Sequence, residues 1–286
     1  MLELDPPLLT ETSGAQWSAA VVDAQSLDCL YEASADRLLQ TASVAKVFAL
    51  IELASRLQDG RSRPEELMDR RSVPPVGNSG LWRHLASDVL PLTDVATLIG
   101  AASDNLATNV LLDYLGIGAV QALARDIAPG GSMLHDSVRS MRGEGDPECI
   151  SEGTARDWSR IMSQLNQGVI VNRGVSELTL KWLANGMDMS QAARPFLLDP
   201  LAHDEFDMGV RVWNKTGTDE GVRAEIGIVR GRSRTVSFAV LCNWEEQEDQ
   251  VAREDILNSM SEFGRYVRAV VGWGPGSSAA GTQAFR

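Results

Sequence analysis

The sequence predicts an α+β fold: an antiparallel sheet flanked by terminal helices, an all-helical lobe from the middle of the chain, and a cleft between the two. Two observations predict it. Alternating, β-branched-rich runs lie near both ends of the chain, at 16–32 and 210–242. Between them, apolar residues recur at helical spacing in segments broken by Gly, Pro and Ser.

In chain order, residues 16–22 and 29–32 read as two strands around a turn at 23–27. Helices are expected over 44–58, 64–70, 93–102, 105–114, 117–126, 154–167 and 175–185, with Thr93 and Ser103 as caps. Strands follow at 210–215, 224–229 and 235–242, and a helix at about 251–271 closes the fold. The expected division is an N-terminal extension (1–13), a discontinuous α/β subdomain (14–40 and 187–272), a helical subdomain (41–186) and a disordered small-residue tail (273–286).

Composition excludes some functions. The 26 basic residues stand against 39 acidic ones, a net charge of -13, which argues against a nucleic-acid partner. No stretch reaches the roughly 20 apolar residues that span a bilayer. Met1 to Pro7 show no basic segment, apolar segment or cleavage site, so the chain as given reads as cytoplasmic, exported only if its N-terminus was trimmed. Cys29, Cys149 and Cys242 make no C-x-x-C pattern, and Cys29 and Cys242, in strand-like segments, read as buried thiols. His84, His135 and His203 are scattered, so neither a metal nor a cofactor is expected; oligomeric state has no readable code.

The chemistry concentrates at Ser43-Val44-Ala45-Lys46. On a helix, positions i and i+3 share a face, so the lysine amine can sit beside the serine hydroxyl near the helix N-terminus. A lysine made neutral by burial or by a second cation can take that hydroxyl's proton. The plain alternative is a helix-cap serine and a solvated lysine. Ser103-Asp104-Asn105 and Lys215-Thr216-Gly217 follow later in the chain.

With these three motifs in this order, residues 14–272 resemble the serine β-lactamase and penicillin-binding protein superfamily, most closely class A β-lactamases. The resemblance implies Ser43 as nucleophile, Lys46 as its base, Ser103 as the proton path to the leaving group, and Lys215 as a second cation in the cleft. It implies that Asn105 binds the substrate's acyl amide and holds Lys46, that Thr216 and Lys215 bind a substrate carboxylate, and that Asp104 fixes the loop. Gly217 would let the strand edge approach the ligand, and the backbone N–H groups of Ser43 and Thr218 would form the oxyanion hole. Arg223 falls near a carboxylate-binding arginine, or is an ordinary surface residue.

One departure stands out. Class A enzymes carry Glu-x-x-Leu-Asn on a loop whose glutamate activates the deacylating water; here that position falls near Arg139 or Ser140. Glu144, Asp146 and Glu148 are nearby candidates for a relocated base, Glu144 and Glu148 foremost, or simply parts of a solvated loop. Three functions follow: a serine hydrolase that forms an acyl-enzyme on Ser43 from an amide, ester or β-lactam and releases it slowly; a true β-lactamase with a relocated base; or a non-catalytic binder of a carboxylate ligand or partner.

Overall fold

The computed structural model describes residues 14–203, 205, 207, 209–245 and 250–273, with Pro7 and Leu9. The rest of the expected N-terminal extension, and the expected tail beyond Trp273, lie outside the described residues.

Strands β1 (Gln16–Asp23) and β2 (Cys29–Ala33) open the chain, and the two-residue β3 (Leu39–Gln40) leads into a 3-10 turn, Ala42–Ala45, and helix α1 (Lys46–Gln58). After β4 (Leu67–Asp69) and β5 (Val89–Pro91) come α2 (Leu92–Ala102), α3 (Asn105–Leu115) and α4 (Ile117–Ile127). The short strands β6 (Met133–Leu134) and β7 (Ser151–Gly153) bracket a loop and precede α5 (Ala155–Gln167) and α6 (Arg173–Leu183). Then follow β8 (Arg211–Asp219), β9 (Val222–Arg230), β10 (Thr235–Asn243) and α7 (Gln250–Val270).

The two chain ends meet in one antiparallel sheet of order β2-β1-β10-β9-β8, in which Gln16 pairs with Asn243 and Asp23 with Val236. Strand alternation then sorts the side chains into two cores. From β1 and β10, Trp17, Ala19, Val21, Val236, Phe238, Val240 and Cys242 pack against Phe263 and Met260 of α7. The opposite face, through Ala20, Ile226, Ile228, Ala239 and Leu241, joins the core of the helical lobe. At that seam Trp158 of α5 stacks on Phe48 of α1, ring centroids 4.7 Å apart. Helix α1 is thus enclosed on all sides from Lys46 to Ala54, with Val47, Phe48, Leu50, Ile51 and Leu53 fully buried.

Several expectations need correction. Residues 64–70 are not a helix: Leu67–Asp69 pairs with Val89–Pro91 as a two-stranded ribbon, because a segment of fewer than two helical turns is too short to be stable alone and the long-range strand pairing wins. Thr93 lies inside α2, whose N-cap is Pro91, and α3 is capped by Asp104, whose side chain accepts from the Ala107 N–H at 2.9 Å. Cys29 is exposed, its thiol facing Glu32, because its strand lies at the sheet's edge; Cys242 is buried. Among the described residues no single helix is long and apolar enough to cross a membrane.

Candidate active site

The turn before α1 is held from behind. Ser151 donates its hydroxyl proton to the Ala42 carbonyl at 2.7 Å, so the Thr41 hydroxyl is the donor in its own 2.8 Å bond to Ser151 Oγ. The Thr41 N–H donates to the Ser151 carbonyl as well. These contacts set Ser43 at the wall of a cavity of about 410 Å³, lined also by Ser79, Leu81, Ser103, Asp188, Lys215, Thr216 and Thr218.

Lys46, one helical step deeper, is wholly buried. Its Nζ donates to the Ser103 carbonyl and to Asn105 Oδ1, both at 2.7 Å, and stands 3.3 Å from Ser103 Oγ. Burial holds the Lys46 amine well below its ordinary range, and the Lys215 charge pushes it the same way, against a weaker pull from Asp104. Two short donations use both protons of a neutral amine, which leaves its lone pair free to accept. Lys215 Nζ reaches the same hydroxyl from β8, 2.9 Å from Ser103 Oγ and 2.7 Å from the Thr216 carbonyl. Burial brings Lys215 down to about 8, while Asp188 and Glu225 hold it up.

Ser103 therefore bridges two lysines. It does so by ending α2 in the left-handed conformation, φ 53°, which costs a non-glycine residue about 1–2 kcal/mol. The loop beyond is fixed by Asp104, whose Oδ2 accepts from the N–H groups of Leu81 and Trp82 at 2.7 and 2.8 Å.

The other expected residues divide. Thr216 and Thr218 line the cavity, with Thr218 on the outer strand of the sheet. An outer strand leaves alternate N–H groups unpaired, as a backbone oxyanion hole requires. Asn105 is buried behind the wall: Oδ1 holds Lys46, and Nδ2 donates to the Gly77 carbonyl at 3.0 Å, a bond that competes with the expected substrate contact. Gly217 faces the protein, where a Cβ would stand 2.1 Å from the Thr41 carbonyl oxygen, so its bareness serves the close approach of β8 to the Ser43 turn. Arg223 does not line the cavity; its guanidinium donates to the carbonyls of Asp219 and Val222 and lies over the Trp244 ring.

The loop that should carry the deacylating base is occupied otherwise. Arg139 pairs with Asp136 at 2.5 Å and Asp146 at 3.5 Å, and Arg142 shares Asp136. Glu144 and Glu148 are exposed and are not among the cavity's lining residues. Among the described residues the one carboxylate that lines it is Asp188, which no motif marked; Oδ1 accepts from both the N–H and the hydroxyl of Ser190.

The chain matches a beta-lactamase enzyme family over residues 7–263. No curated protein matches it. Among solved structures it is similar to a beta-lactamase from Sphaerobacter thermophilus, with 21% identity over 93% of this chain and 95% of that one at a TM-score of 0.78. It is similar as well to a class A beta-lactamase from Mycobacterium abscessus, with 17% identity, 91% and 95% coverage and a TM-score of 0.68. A mutant PBP-A, described as an acyl-enzyme complex with penicillin G, aligns at 17% identity over 93% and 98% of the two chains with a TM-score of 0.72. With a family match over nearly its whole length and the antiparallel sheet and helical lobe of the class A fold, the chain belongs to the beta-lactamase enzyme family.

Proposed function

We propose that this protein is a serine hydrolase that forms an acyl-enzyme on Ser43 from a carboxylate-bearing amide, ester or β-lactam and releases it slowly. One observation carries the reading: Lys46 and Lys215 converge on the Ser103 hydroxyl, in a cavity that Ser43 lines. A structural scaffold gains nothing from two buried lysines at one hydroxyl, since each carries a desolvation cost.

In the acylation half, neutral Lys46 takes the Ser43 proton as Oγ bonds to the substrate carbonyl carbon. The backbone N–H groups of Ser43 and Thr218 receive the oxyanion. When the carbon–nitrogen or carbon–oxygen bond breaks, Ser103 gives its proton to the leaving atom and is resupplied by protonated Lys46. Lys215 and Thr216 hold the carboxylate, and Lys215 keeps Lys46 from retaining a proton at rest.

The second half needs a base to activate water, an effect commonly worth about 10²–10⁴ in rate. Near the family's position for that base stand Ser140 and a cation, Arg139, engaged by Asp136 and Asp146. This supports slow release over a relocated base at Glu144 or Glu148, both exposed outside the cavity. Incubation with a fluorescent penicillin followed by intact-mass analysis tests the reading. A long-lived adduct on Ser43, absent in Ser43→Ala, is expected. Labelling that survives the substitution removes the nucleophile assignment, and rapid nitrocefin turnover removes the slow release.

A further inference from the structure

Outside the cleft, a second set of chemistry-bearing side chains meets at the neck of the loop between β6 and β7. His135 follows β6, Cys149 ends the loop and Glu152 sits in the middle of β7. An imidazole nitrogen, the thiol sulfur and a carboxylate oxygen from these residues all lie within 4.8 Å of one another, and His135 Nε2 is 3.1 Å from Glu152 Oε1. All three side chains are half-buried, so solvent reaches the space between them. The backbone beneath is set: the His135 N–H donates to the Ile150 carbonyl at 2.8 Å, and Met133 and Leu134 pair with Glu152 and Ser151.

We propose that His135, Cys149 and Glu152 bind a Zn²⁺ ion that ties the neck of the loop they bracket. Tetrahedral zinc, with bonds of about 2.0–2.3 Å, separates its ligand atoms by about 3.3–3.7 Å. The observed His135–Glu152 spacing of 3.1 Å is slightly shorter than that and the donor atoms all lie within 4.8 Å of one another, so closure asks for side-chain movements of about 1 Å. One nitrogen, one sulfur and one oxygen suit zinc; calcium and magnesium take oxygen ligands almost exclusively. The fourth position, facing solvent, takes water. As the ion binds, the Cys149 S–H bond breaks, the S–Zn bond forms and the proton leaves to solvent.

The placement gives the ion a task. Glu152 is next to Ser151, whose hydroxyl holds the turn before Ser43, and His135 is next to Asp136, the carboxylate that gathers Arg139 and Arg142. Zinc would fasten both ends of the loop to the strand behind the nucleophile. The histidines gave no sign of this in the sequence, because a hairpin, and no short repeat spacing, unites the three residues.

The test uses the full chain, stripped with a chelator and titrated with zinc against a chromophoric competitor. One Zn²⁺ per chain is expected, with affinity lowered by more than about tenfold in Cys149→Ser and in Glu152→Gln. Cys29→Ser, which removes the other accessible thiol, should bind as the parent does. Cobalt substitution should give a thiolate charge-transfer band lost in Cys149→Ser alone. Zinc should slow amide exchange across residues 136–149 in the parent and not in Cys149→Ser. Failure to bind zinc, unchanged affinity in Cys149→Ser, or a band that depends on Cys29 would each overturn the proposal.

Discussion

Replacing Lys215 by Met tests whether one buried cation prepares the other. Both amine nitrogens stand at the Ser103 hydroxyl, at 3.3 and 2.9 Å, so they are no more than about 6 Å apart. At that distance two unit charges repel by about 3 kcal/mol at an effective dielectric of about 20, or about a hundredfold in the balance between protonated and neutral Lys46. Lys215, at about 8, is mostly charged at neutral pH, and its loss lets Lys46 keep its proton more readily. Burial is the larger cause of the depressed Lys46 and is untouched by the substitution. Acylation in Lys215→Met should therefore slow most on the acid side, by about a hundredfold, and recover as pH rises. The assay is stopped-flow acylation across pH with an activated aryl ester that lacks a carboxylate, which separates this effect from substrate anchoring. The lost hydrogen bonds to Ser103 and Thr216 should lower the rate equally at every pH. A purely uniform loss would refute the electrostatic role and leave Lys215 as an anchor only.

Three further outcomes are expected. Gly217→Ala drives a Cβ to 2.1 Å from a backbone oxygen that cannot swing away, so it should destabilise by about 1–3 kcal/mol; a thermal midpoint equal to the parent's in calorimetry would contradict the packing. Glu225, wholly buried, is pushed up by burial from its ordinary 4.5 to about 8, against the donations of Asn214 and the Ala193 N–H. The folded state thus keeps a proton that the unfolded chain releases: stability is fullest below about 4.5 and falls by about 1.4 kcal/mol per pH unit until about 8, a slope that urea unfolding should find missing in Glu225→Gln. Asp188→Asn removes a negative charge from the cavity and should tighten binding of anionic substrates on the acid side, where Lys215 stays charged, with the gain shrinking as pH rises because Asp188 also holds Lys215 up. Arg223→Ala should leave binding unchanged, and a KM rise confined to Arg223→Ala would reverse that assignment.

The strand pair at 16–32, the three strands from 211 to 243 and seven of the eight expected helices were legible because period-2 and helical spacing are properties of neighbouring residues. The ribbon at Leu67–Asp69 was not, because its partner, Val89–Pro91, lies far along the chain. By itself the sequence determined the ordered trio of motifs, the α+β layering and the missing glutamate near Arg139. Only the tertiary structure decided that Ser103 ends a helix between two lysines, that Gly217 backs onto Thr41, that Arg223 turns to Trp244 and that Asp188 enters the cleft. The reason is physical: which groups share a cavity, and which of them lose their water, depends on how distant segments close on one another, and local pattern carries no record of that closure.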